Sequence, residues 1–254
     1  NRAEALSIAQ ETGAGWLLLL DAEQTLELSG LLPSLHGDAY MVGMSVGHLT
    51  YATPKLVRAR RGWCYVGAAH EYLHTVDGGA YVVLRLGDSL TVVDHLDSGD
   101  RTAKIERNRG LLEAELARDS SNPRTIFYLG ETYRDQGNRA GARRMYLRRS
   151  QMAGTFEDEG WYAHWQWGSM TDDLEEAAVV LMTAWERRPQ RAEPLWELGR
   201  RYREAGHPHL AYMVLSHAAT IPLPEDETFF VHVPVYDHLI AFELAIAAWW
   251  TGRY

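Results

Sequence analysis

The stretch YLGETYRDQGNRAGARRMY, residues 128–146, recurs 69 positions later as ELGRRYREAGHPHLAYMVL, residues 197–215. Six positions are identical in the two copies, and they pair Leu129 with Leu198, Gly130 with Gly199, Tyr133 with Tyr202, Arg134 with Arg203, Gly137 with Gly206 and Ala142 with Ala211. A leucine, a glycine and a tyrosine at fixed spacing, followed by a small residue, are typical of two antiparallel helices that pack closely. The repeat therefore predicts a stack of helix pairs in the second half of the chain.

Half of this offset is close to the period of tetratricopeptide (TPR) repeats, which is about 34 residues. A weaker copy is therefore expected between the two, around WYAHWQWGSM (161–170) and EEAAVVLMTAWERRP (175–189). A last copy is expected to begin near LIAFELAIAAWWTGRY (239–254). We predict TPR-like helical repeats over residues 107–254.

Residues 1–106 show a different pattern, in which short apolar runs of strand length are separated by Gly, Pro and Asp turns. A short helix is expected over Arg2–Thr12, and GWLLLLDAE (15–23) has the continuous apolar character of a strand that is buried on both faces. Further strand-like runs are Tyr40–Val46, Trp63–Ala68, Tyr81–Leu86 and Leu90–Val93. The fold class expected for the whole chain is an α/β domain followed by an all-α domain.

Charge and composition exclude several classes of function. The formal net charge is −9, with 8 Lys/Arg against 13 Asp/Glu in residues 1–106 and 17 against 21 in residues 107–254, so we expect no nucleic-acid partner. The longest apolar run, Trp16–Leu20, is far shorter than the roughly 20 residues that a transmembrane helix needs. No basic-then-apolar leader opens the sequence, and the single cysteine, Cys64, fits a reducing compartment. We expect a cytoplasmic protein without a membrane span.

The stretch HEYLH, residues 70–74, matches the zinc-protease motif H-E-x-x-H. That motif needs a helix that places His70 and His74 one turn apart, with a third ligand beyond. Upstream, RRGWCYVGAA has the spacing of a strand, and downstream TVDGG breaks any helix. Asp77 also stands where the longer form of the motif has glycine. A zinc protease is therefore the least favoured interpretation.

Acidic side chains follow the first apolar run and offer a different metal site. Asp21 and Glu23 are two residues apart, so both carboxylates can face one divalent cation, Mg²⁺ or Mn²⁺. Alternatively, Asp21 caps a following helix and Glu23 complements its dipole. His95 follows LTVVD (90–94) and is a third candidate ligand, although a lone histidine at a strand end is more often structural. Both interpretations remain open at this stage.

The order of these phrases resembles that of bacterial family-2 glycosyltransferases, which join a GT-A catalytic domain to a TPR-type helical domain. The matching phrases are GWLLLLDAE, WCYVGAAHEYL, VVDHLDSGDRTAK, FYLGETYRDQG, GTFEDEGWYAHWQWG and RPQRAEPLWELGRRYR. The resemblance implies that residues 1–106 are the C-terminal portion of a GT-A-type domain, whose N-terminal part is missing from this sequence. It also implies a metal site of the D-x-D type at Asp21 and Glu23, with His95 completing the metal shell around a bound nucleotide sugar.

The resemblance assigns further roles around this site. Transfer with inversion needs a carboxylate to accept the proton of the acceptor, and Glu71 is the candidate base, with His70 beside it as a substrate-binding residue. The metal neutralises charge on the departing diphosphate. Arg101 and Lys104 hold that phosphate charge or, alternatively, only lie on the solvent face of the next helix. Trp63 lines the sugar or acceptor pocket or belongs to the core.

The expected function is thus a metal-dependent glycosyltransferase that moves a sugar from a nucleotide-sugar donor to a small-molecule, peptide or glycan acceptor. Its TPR-like domain would hold a large acceptor, a protein partner or a second subunit. The alternative is a non-catalytic interaction module whose TPR groove binds a peptide. Two features favour this alternative, namely the missing N-terminal strands and Glu23, which stands where the family usually has aspartate.

Overall fold

The chain forms two compact units, residues 1–104 and residues 105–254, where the sequence predicted domains at 1–106 and 107–254. A computed structural model describes residues 2–46, 49–95, 101–154, 156–224 and 229–253. None of the described helices combines the length and the apolar composition that crossing a membrane requires.

The first unit is built on a mixed sheet. Its described elements are helix α1 (Arg2–Gln10) and strands β1 (Trp16–Leu18), β2 (Gln24–Leu28), β3 (Ala39–Val46), β4 (Leu49–Arg58), β5 (Trp63–Val66), β6 (Tyr72–Thr75), β7 (Val83–Arg85) and β8 (Leu90–Asp94). Six strands form one sheet in the order β1-β4-β3-β8-β2, in which β7 also pairs with β3, while β5 and β6 form a separate hairpin. Among these described strands, only the pairs of β3 with β7 and with β8 are parallel.

The run GWLLLLDAE does not form the fully buried strand that its composition predicts, so this expectation was wrong. Only Trp16–Leu18 is a strand, and β1 lies at one edge of the sheet, where it pairs with β4 alone. Leu17 is buried whereas Trp16 and Leu18 are half-buried. The apolar run therefore forms a short edge strand in which only Leu17 is buried.

Hydrophobic side chains cover both faces of this sheet. Ala39 and Tyr40 are neighbours on β3 that point to opposite faces, because side chains alternate along a strand. One cluster contains Leu6 of α1 together with Leu17, Ala39, Val57, Ala59, Trp63 and Leu73. The other contains Tyr40, Val42, Met44, Leu56, Leu86, Leu90 and Val92.

The second unit consists of paired helices. Its described helices are α2 (Arg101–Arg118, which begins just before the unit), α3 (Pro123–Asp135), α4 (Arg139–Ser150), α5 (Glu157–Met170), α6 (Leu174–Arg187), α7 (Glu193–Glu204), α8 (Pro208–Ala218) and α9 (Ile240–Thr251). The pairs α3/α4, α5/α6 and α7/α8 begin at residues 123, 157 and 193, a spacing close to the TPR period. A π-helical turn, Val235–Leu239, leads into α9. The prediction of TPR-like helical repeats is confirmed.

Small residues set the close approach of the two helices in each pair. A Cβ atom added to Gly130 of α3 would lie 3.0 Å from the Tyr146 ring of α4, and one added to Gly199 of α7 would lie 2.4 Å from Leu215 Cγ of α8. Asn122 caps α3 by accepting hydrogen bonds from two backbone N–H groups of its first turn. Gly130 and Gly199 are therefore required by packing, whereas the other shared pair, Gly137 and Gly206, has open space around it and a positive φ that favours glycine.

Candidate functional site

Two of the three residues predicted to bind a metal, Asp21 and His95, have side chains that contact other protein groups. The Asp21 carboxylate forms an ion pair with Arg2, and Lys55 Nζ is 3.8 Å from its second oxygen. The backbone N–H of His95 donates to the carbonyl of Glu23 (3.2 Å), and His95 Nε2 is 2.7 Å from Thr25 Oγ1. In the part of the chain that the structure describes, no group of three or more His, Cys, Asp or Glu side chains is arranged to hold a metal ion.

Lys55 supplies a positive charge beside Asp21, where a metal ion was predicted. Lys55 Nζ donates to Gln24 Oε1 at 2.9 Å, and Gln24 Nε2 donates to Asp94 Oδ2 at 3.0 Å. Burial lowers the pKa of Lys55, while the neighbouring Asp21 opposes this shift. At this end of the sheet, Asp21, Lys55, Gln24 and Asp94 are thus linked to one another by ion pairs and hydrogen bonds.

The other predicted residues of the first unit lie on and beside the hairpin of β5 and β6. His70 and Glu71 precede β6, and His70 has a positive φ of 52°. His74 of the HEYLH stretch lies within strand β6, so the described residues 70–74 do not form the helix that a zinc protease needs. Trp63 is 2% exposed, and its indole N–H donates to the carbonyl of Arg58 at 2.9 Å, so it belongs to the core, as the alternative interpretation held.

Arg101 and Lys104 both lie in the first turn of α2, and both are exposed. The preceding residues 96–100, which contain the turn between His95 and this helix, lie outside the described residues. The roles predicted for these two side chains as phosphate ligands therefore stay predictions.

The second unit contains a groove along its first helices. Contacts join α3 with α5, α5 with α7 and α7 with α9, whereas comparable contacts between α4 and α6 or between α6 and α8 are not found among the described residues. The first helix of each pair therefore lies on the inner side of the stack, and the second helices lie on the outer side. An inner surface of this kind is where helical repeat proteins present a binding face.

A cavity of about 380 Å³ opens in this groove. One wall is formed by Tyr162, Trp165, Gln166 and Ser169, which share one face of α5 because they are spaced at i, i+3, i+4 and i+7. The opposite wall is formed by Trp196 and Glu197 of α7 and by Phe230, Val231 and His232. The last three residues belong to the segment 229–234, which we call the strap.

Two fully buried charged residues hold the strap by its backbone. Arg191 donates hydrogen bonds to the carbonyls of Phe229 (3.2 Å) and Phe230 (3.0 Å), and Glu193 accepts one from the N–H of His232 (3.1 Å). Arg191 and Glu193 also form an ion pair at 2.7 Å, and both are 0% exposed. Because each of these charges has several partners, the strap is fixed firmly at the edge of the cavity.

Aromatic rings of the strap pack onto the inner helices. The Phe230 ring lies 4.9 Å from that of Tyr162 and 6.2 Å from that of Phe127, measured between ring centroids. Phe230 has a positive φ of 46°, a conformation that L-residues rarely adopt and that its carbonyl contact with Arg191 helps to hold. The strap thus completes the wall of the cavity with an aromatic side chain.

The polar groups at the cavity differ in their hydrogen-bond partners. The indole nitrogens of Trp165 and Trp196 are buried and have no hydrogen-bond partner among the described residues. Glu197 bonds to Arg200 through both of its oxygens, at 2.7 and 3.2 Å. Partial burial lowers the pKa of His232, although the nearby Glu193 opposes this shift. Burial also raises the pKa of the Tyr162 hydroxyl, which accepts a hydrogen bond from Arg134 at 2.9 Å.

The sequence analysis did not identify the residues of this cavity. The signal was present in WYAHWQWGSM, where the i, i+3, i+4, i+7 face of a single helix carries Tyr162, Trp165, Gln166 and Ser169. The strap gave no such signal, because its position depends on buried contacts with Arg191 and Glu193, which are distant in sequence.

Comparisons with known proteins give likenesses at the level of fold. No family model matches the sequence, and no curated protein matches it. The solved structures that are similar include MamA, at 19% identity and a TM-score of 0.47, with 60% of this chain and 76% of that chain covered. They also include TTC0263, a thermophilic TPR protein in Thermus thermophilus, at 20% identity and a TM-score of 0.39, with 60% and 77% covered. YrrB, a TPR protein with an unusual peptide-binding site, matches at 17% identity and a TM-score of 0.40, with 58% and 78% covered.

The prediction of a metal-dependent glycosyltransferase was wrong. The similar structures described above include TPR proteins and give no support to a nucleotide-sugar enzyme. The geometry agrees with this correction, because Asp21 is paired with Arg2 and Lys55, and His95 contacts Thr25. Three further predictions depended on that enzyme. They are the manganese or magnesium site, the nucleotide-sugar donor and the role of Glu71 as catalytic base. The resemblance of the first unit to a GT-A domain stays a prediction about its fold alone.

Proposed function

We propose that the helical unit is a non-catalytic binding module that takes an extended peptide segment of a protein partner in the groove along α3, α5, α7 and α9. The observation that carries this proposal is the open cavity of about 380 Å³ between α5, α7 and the strap. Its walls combine the rings of Tyr162, Trp165, Trp196 and Phe230 with the polar side chains of Gln166, Ser169, Glu197 and His232. Sites that bind a side chain and fix its orientation combine aromatic and polar groups in this way.

Two features of the walls suit a peptide in particular. The indole N–H groups of Trp165 and Trp196 are unsatisfied donors among the described residues, and a small movement of either ring would present its N–H to a peptide carbonyl. Gln166 and Ser169 lie along the same face of α5 and offer both donors and acceptors to a passing backbone. Helical repeat proteins bind their ligands on extended concave surfaces of this kind.

The location and the remaining partners are separate predictions. A cytoplasmic location, a protein or peptide partner and self-association through the helical unit remain our predictions. A nucleotide sugar is no longer among the proposed partners, and no reaction is assigned to the chain.

The test is selection of binding peptides from a random-sequence display library on the whole chain, followed by fluorescence anisotropy with a labelled selected peptide. We expect Trp196→Ala to weaken binding by about 10-fold or more, because a central aromatic contact of a binding site contributes roughly 2 kcal/mol. Met213→Ala is the control, since Met213 is 61% exposed, lies on the outer helix α8 and does not line the cavity.

Gln166→Ala provides a second variant in case Trp196→Ala lowers the stability of the fold, which thermal unfolding would reveal. Gln166 is half-buried and lines the cavity, so its removal should weaken binding while the fold stays intact. Failure to enrich any peptide, or equal affinity of the wild-type protein and both cavity variants, would refute the proposal.

A further inference from the structure

The cavity in the groove is enclosed by aromatic rings in several orientations. Tyr162 lies 5.3 Å from Trp165 with their planes at 90°, and 4.9 Å from Phe230 with their planes at 47°. Trp196 lies across the cavity on α7 and packs edge-on against His232 at 5.8 Å. Phe230 (43% exposed) and the half-buried Trp196 are the more accessible of these rings, while Tyr162 and Trp165 lie deeper in the lining. The faces of aromatic rings carry partial negative charge and attract cations.

The charged groups around these rings are in acidic excess. Among the described residues that line the cavity, Glu197 is the charged one at neutral pH, and its side chain is 7% exposed. Its partner Arg200 also binds Glu204. On the other side, Arg134 contacts the Tyr162 hydroxyl and is itself paired with Glu131 and Asp135. Glu204 also pairs with Arg203, which binds Glu243 in turn. Five carboxylates thus accompany three guanidinium groups, and this excess favours a ligand that brings positive charge.

An apolar anchor would suit these walls less well. It would place hydrocarbon against the Glu197 carboxylate and the polar groups of Gln166 and Ser169, and none of these would gain a hydrogen bond from it. An acidic anchor would meet Glu197 and the negative faces of the rings. A basic side chain fits both the aromatic rings and the Glu197 carboxylate. Its aliphatic stem packs on the rings while its charge faces the carboxylate.

We infer that the cavity between α5, α7 and the strap recognises a basic side chain of the bound peptide, either a lysine or its N-methylated form, held by the rings of Tyr162, Trp165, Trp196 and Phe230 beside Glu197. The inference rests on the proposed function and specifies the chemistry of its anchor residue. Aromatic enclosures of this type bind ammonium groups through cation–π attraction, which is strongest with tryptophan.

The test uses two small probes with the whole protein, an N-acetyl, C-amide derivative of trimethyl-lysine and its neutral isostere, in which carbon replaces the charged nitrogen. The two probes have the same shape and differ in charge. Titrations are followed by NMR of the indole N–H resonances, with those of Trp165 and Trp196 assigned by substitution. We expect the cationic probe to shift both resonances and to bind about 5- to 30-fold more tightly than the isostere.

Variants of the walls separate charge recognition from simple burial. Trp196→Phe should weaken the cationic probe moderately and Trp196→Leu more strongly, whereas an apolar contact would change little between these two. Glu197→Gln keeps the shape of the wall and should selectively weaken the cationic probe. Trp250→Leu is the control, because Trp250 lies outside the cavity lining.

Equal binding of the two probes, or no shift of the Trp165 and Trp196 resonances by either, would overturn the inference. These results are distinct from failure of the proposed function. If library peptides bind the groove with sensitivity to Trp196→Ala but show no enrichment of basic residues, peptide binding stands and the basic anchor is refuted.

Discussion

At the scale of single residues, glycines in the first helices decide how closely each helix pair can pack. Gly130, Gly168 and Gly199 occupy three first helices, and a Cβ atom at each would lie within 2.4 to 3.0 Å of a side chain on the second helix of the same pair. The sequence revealed two of these positions through identity between the copies. It did not reveal Gly168, because the middle copy has diverged around it.

We predict that Gly199→Ala destabilises the protein by about 1 to 3 kcal/mol, as expected when a well-packed core is overfilled. The added methyl would lie 2.4, 2.7 and 3.0 Å from three carbon atoms of Leu215, which is fully buried and has little space to move. Gly110→Ala in α2 is the control, because a Cβ atom there meets nothing within 4 Å.

The free energy of unfolding in urea measures both variants. Gly110→Ala should be neutral or more stable than the wild type by about 0.5 to 1 kcal/mol, since alanine favours a helix over glycine. A loss of stability in Gly110→Ala similar to that in Gly199→Ala would show that the close contact with Leu215 is not the cause.

We also predict that His164 makes the protein less stable in mild acid. Burial and the nearby Arg187 lower the pKa of His164 to about 4, from an ordinary value of 6.5. Between these values the unfolded chain binds the extra proton and the folded chain does not, so this contribution is fully present above pH 6.5 and is lost as pH falls toward 4. The loss should be about 1 to 2 kcal/mol, because solvent partly screens the ring.

Urea unfolding across this range, for the wild type and for His164→Gln, measures that contribution. Burial raises the pKa of Glu159 to about 7, although Arg124 opposes the shift, and this has the opposite sign because the folded state then retains the proton. The difference between the two proteins isolates the histidine. Identical pH profiles would mean that His164 titrates normally.

At the scale of the elements, the sequence located the repeat helices and the strands β3, β5, β7 and β8, but it missed β2, β4 and β6. The repeated pattern located α3, α4, α7 and α8, because helix pairing depends on contacts within about 30 residues. Strand β4 was not predicted, because Pro54 lies within LTYATPKLVR and a proline argues against a strand in the middle of a sheet. The structure accommodates this proline at a register shift between Tyr40 and Met41 of β3, and such a bulge cannot be read from one strand alone.

The strap is an element whose position follows from buried charges. We predict that Arg191→Leu destabilises the protein by about 3 to 5 kcal/mol, because it leaves Glu193 buried without its cation. The double variant Arg191→Leu with Glu193→Leu should lose less than the single variant, since it leaves no unpaired buried charge.

Limited proteolysis gives a second measurement on these variants. Loss of the hydrogen bonds from Arg191 to the carbonyls of Phe229 and Phe230 should expose the strap to cleavage. If Arg191→Leu is as stable as the wild type and equally resistant to protease, the strap is held by other contacts.

At the scale of the whole molecule, the two compact units can be compared with the two predicted domains. The change from short apolar runs to helical repeats placed the boundary within a few residues of the division at 104/105. The metal-dependent chemistry was predicted wrongly because the carboxylates that follow the first strand were interpreted without the basic side chains that pair with them. Arg2 and Lys55, which pair with Asp21, could not be placed beside it without the three-dimensional structure.

Each unit has its own hydrophobic core, so we predict that residues 101–254 fold without the first unit. The core of the helical unit contains Phe127, Tyr146, Trp161 and Leu198, all at most 2% exposed, together with other residues of the same unit. Circular dichroism of the isolated segment should show a helical spectrum and one cooperative thermal transition. A weakly helical segment that melts without a transition would contradict this.

The central claim is that the inner groove of the helical unit binds a peptide, and hydrogen exchange of the whole chain with and without a selected library peptide tests it most directly. We predict that the peptide slows exchange in α5, α7 and the strap, and that the outer helices α4, α6 and α8 are unchanged. Protection confined to the outer helices, or to the sheet of the first unit, would contradict the claim.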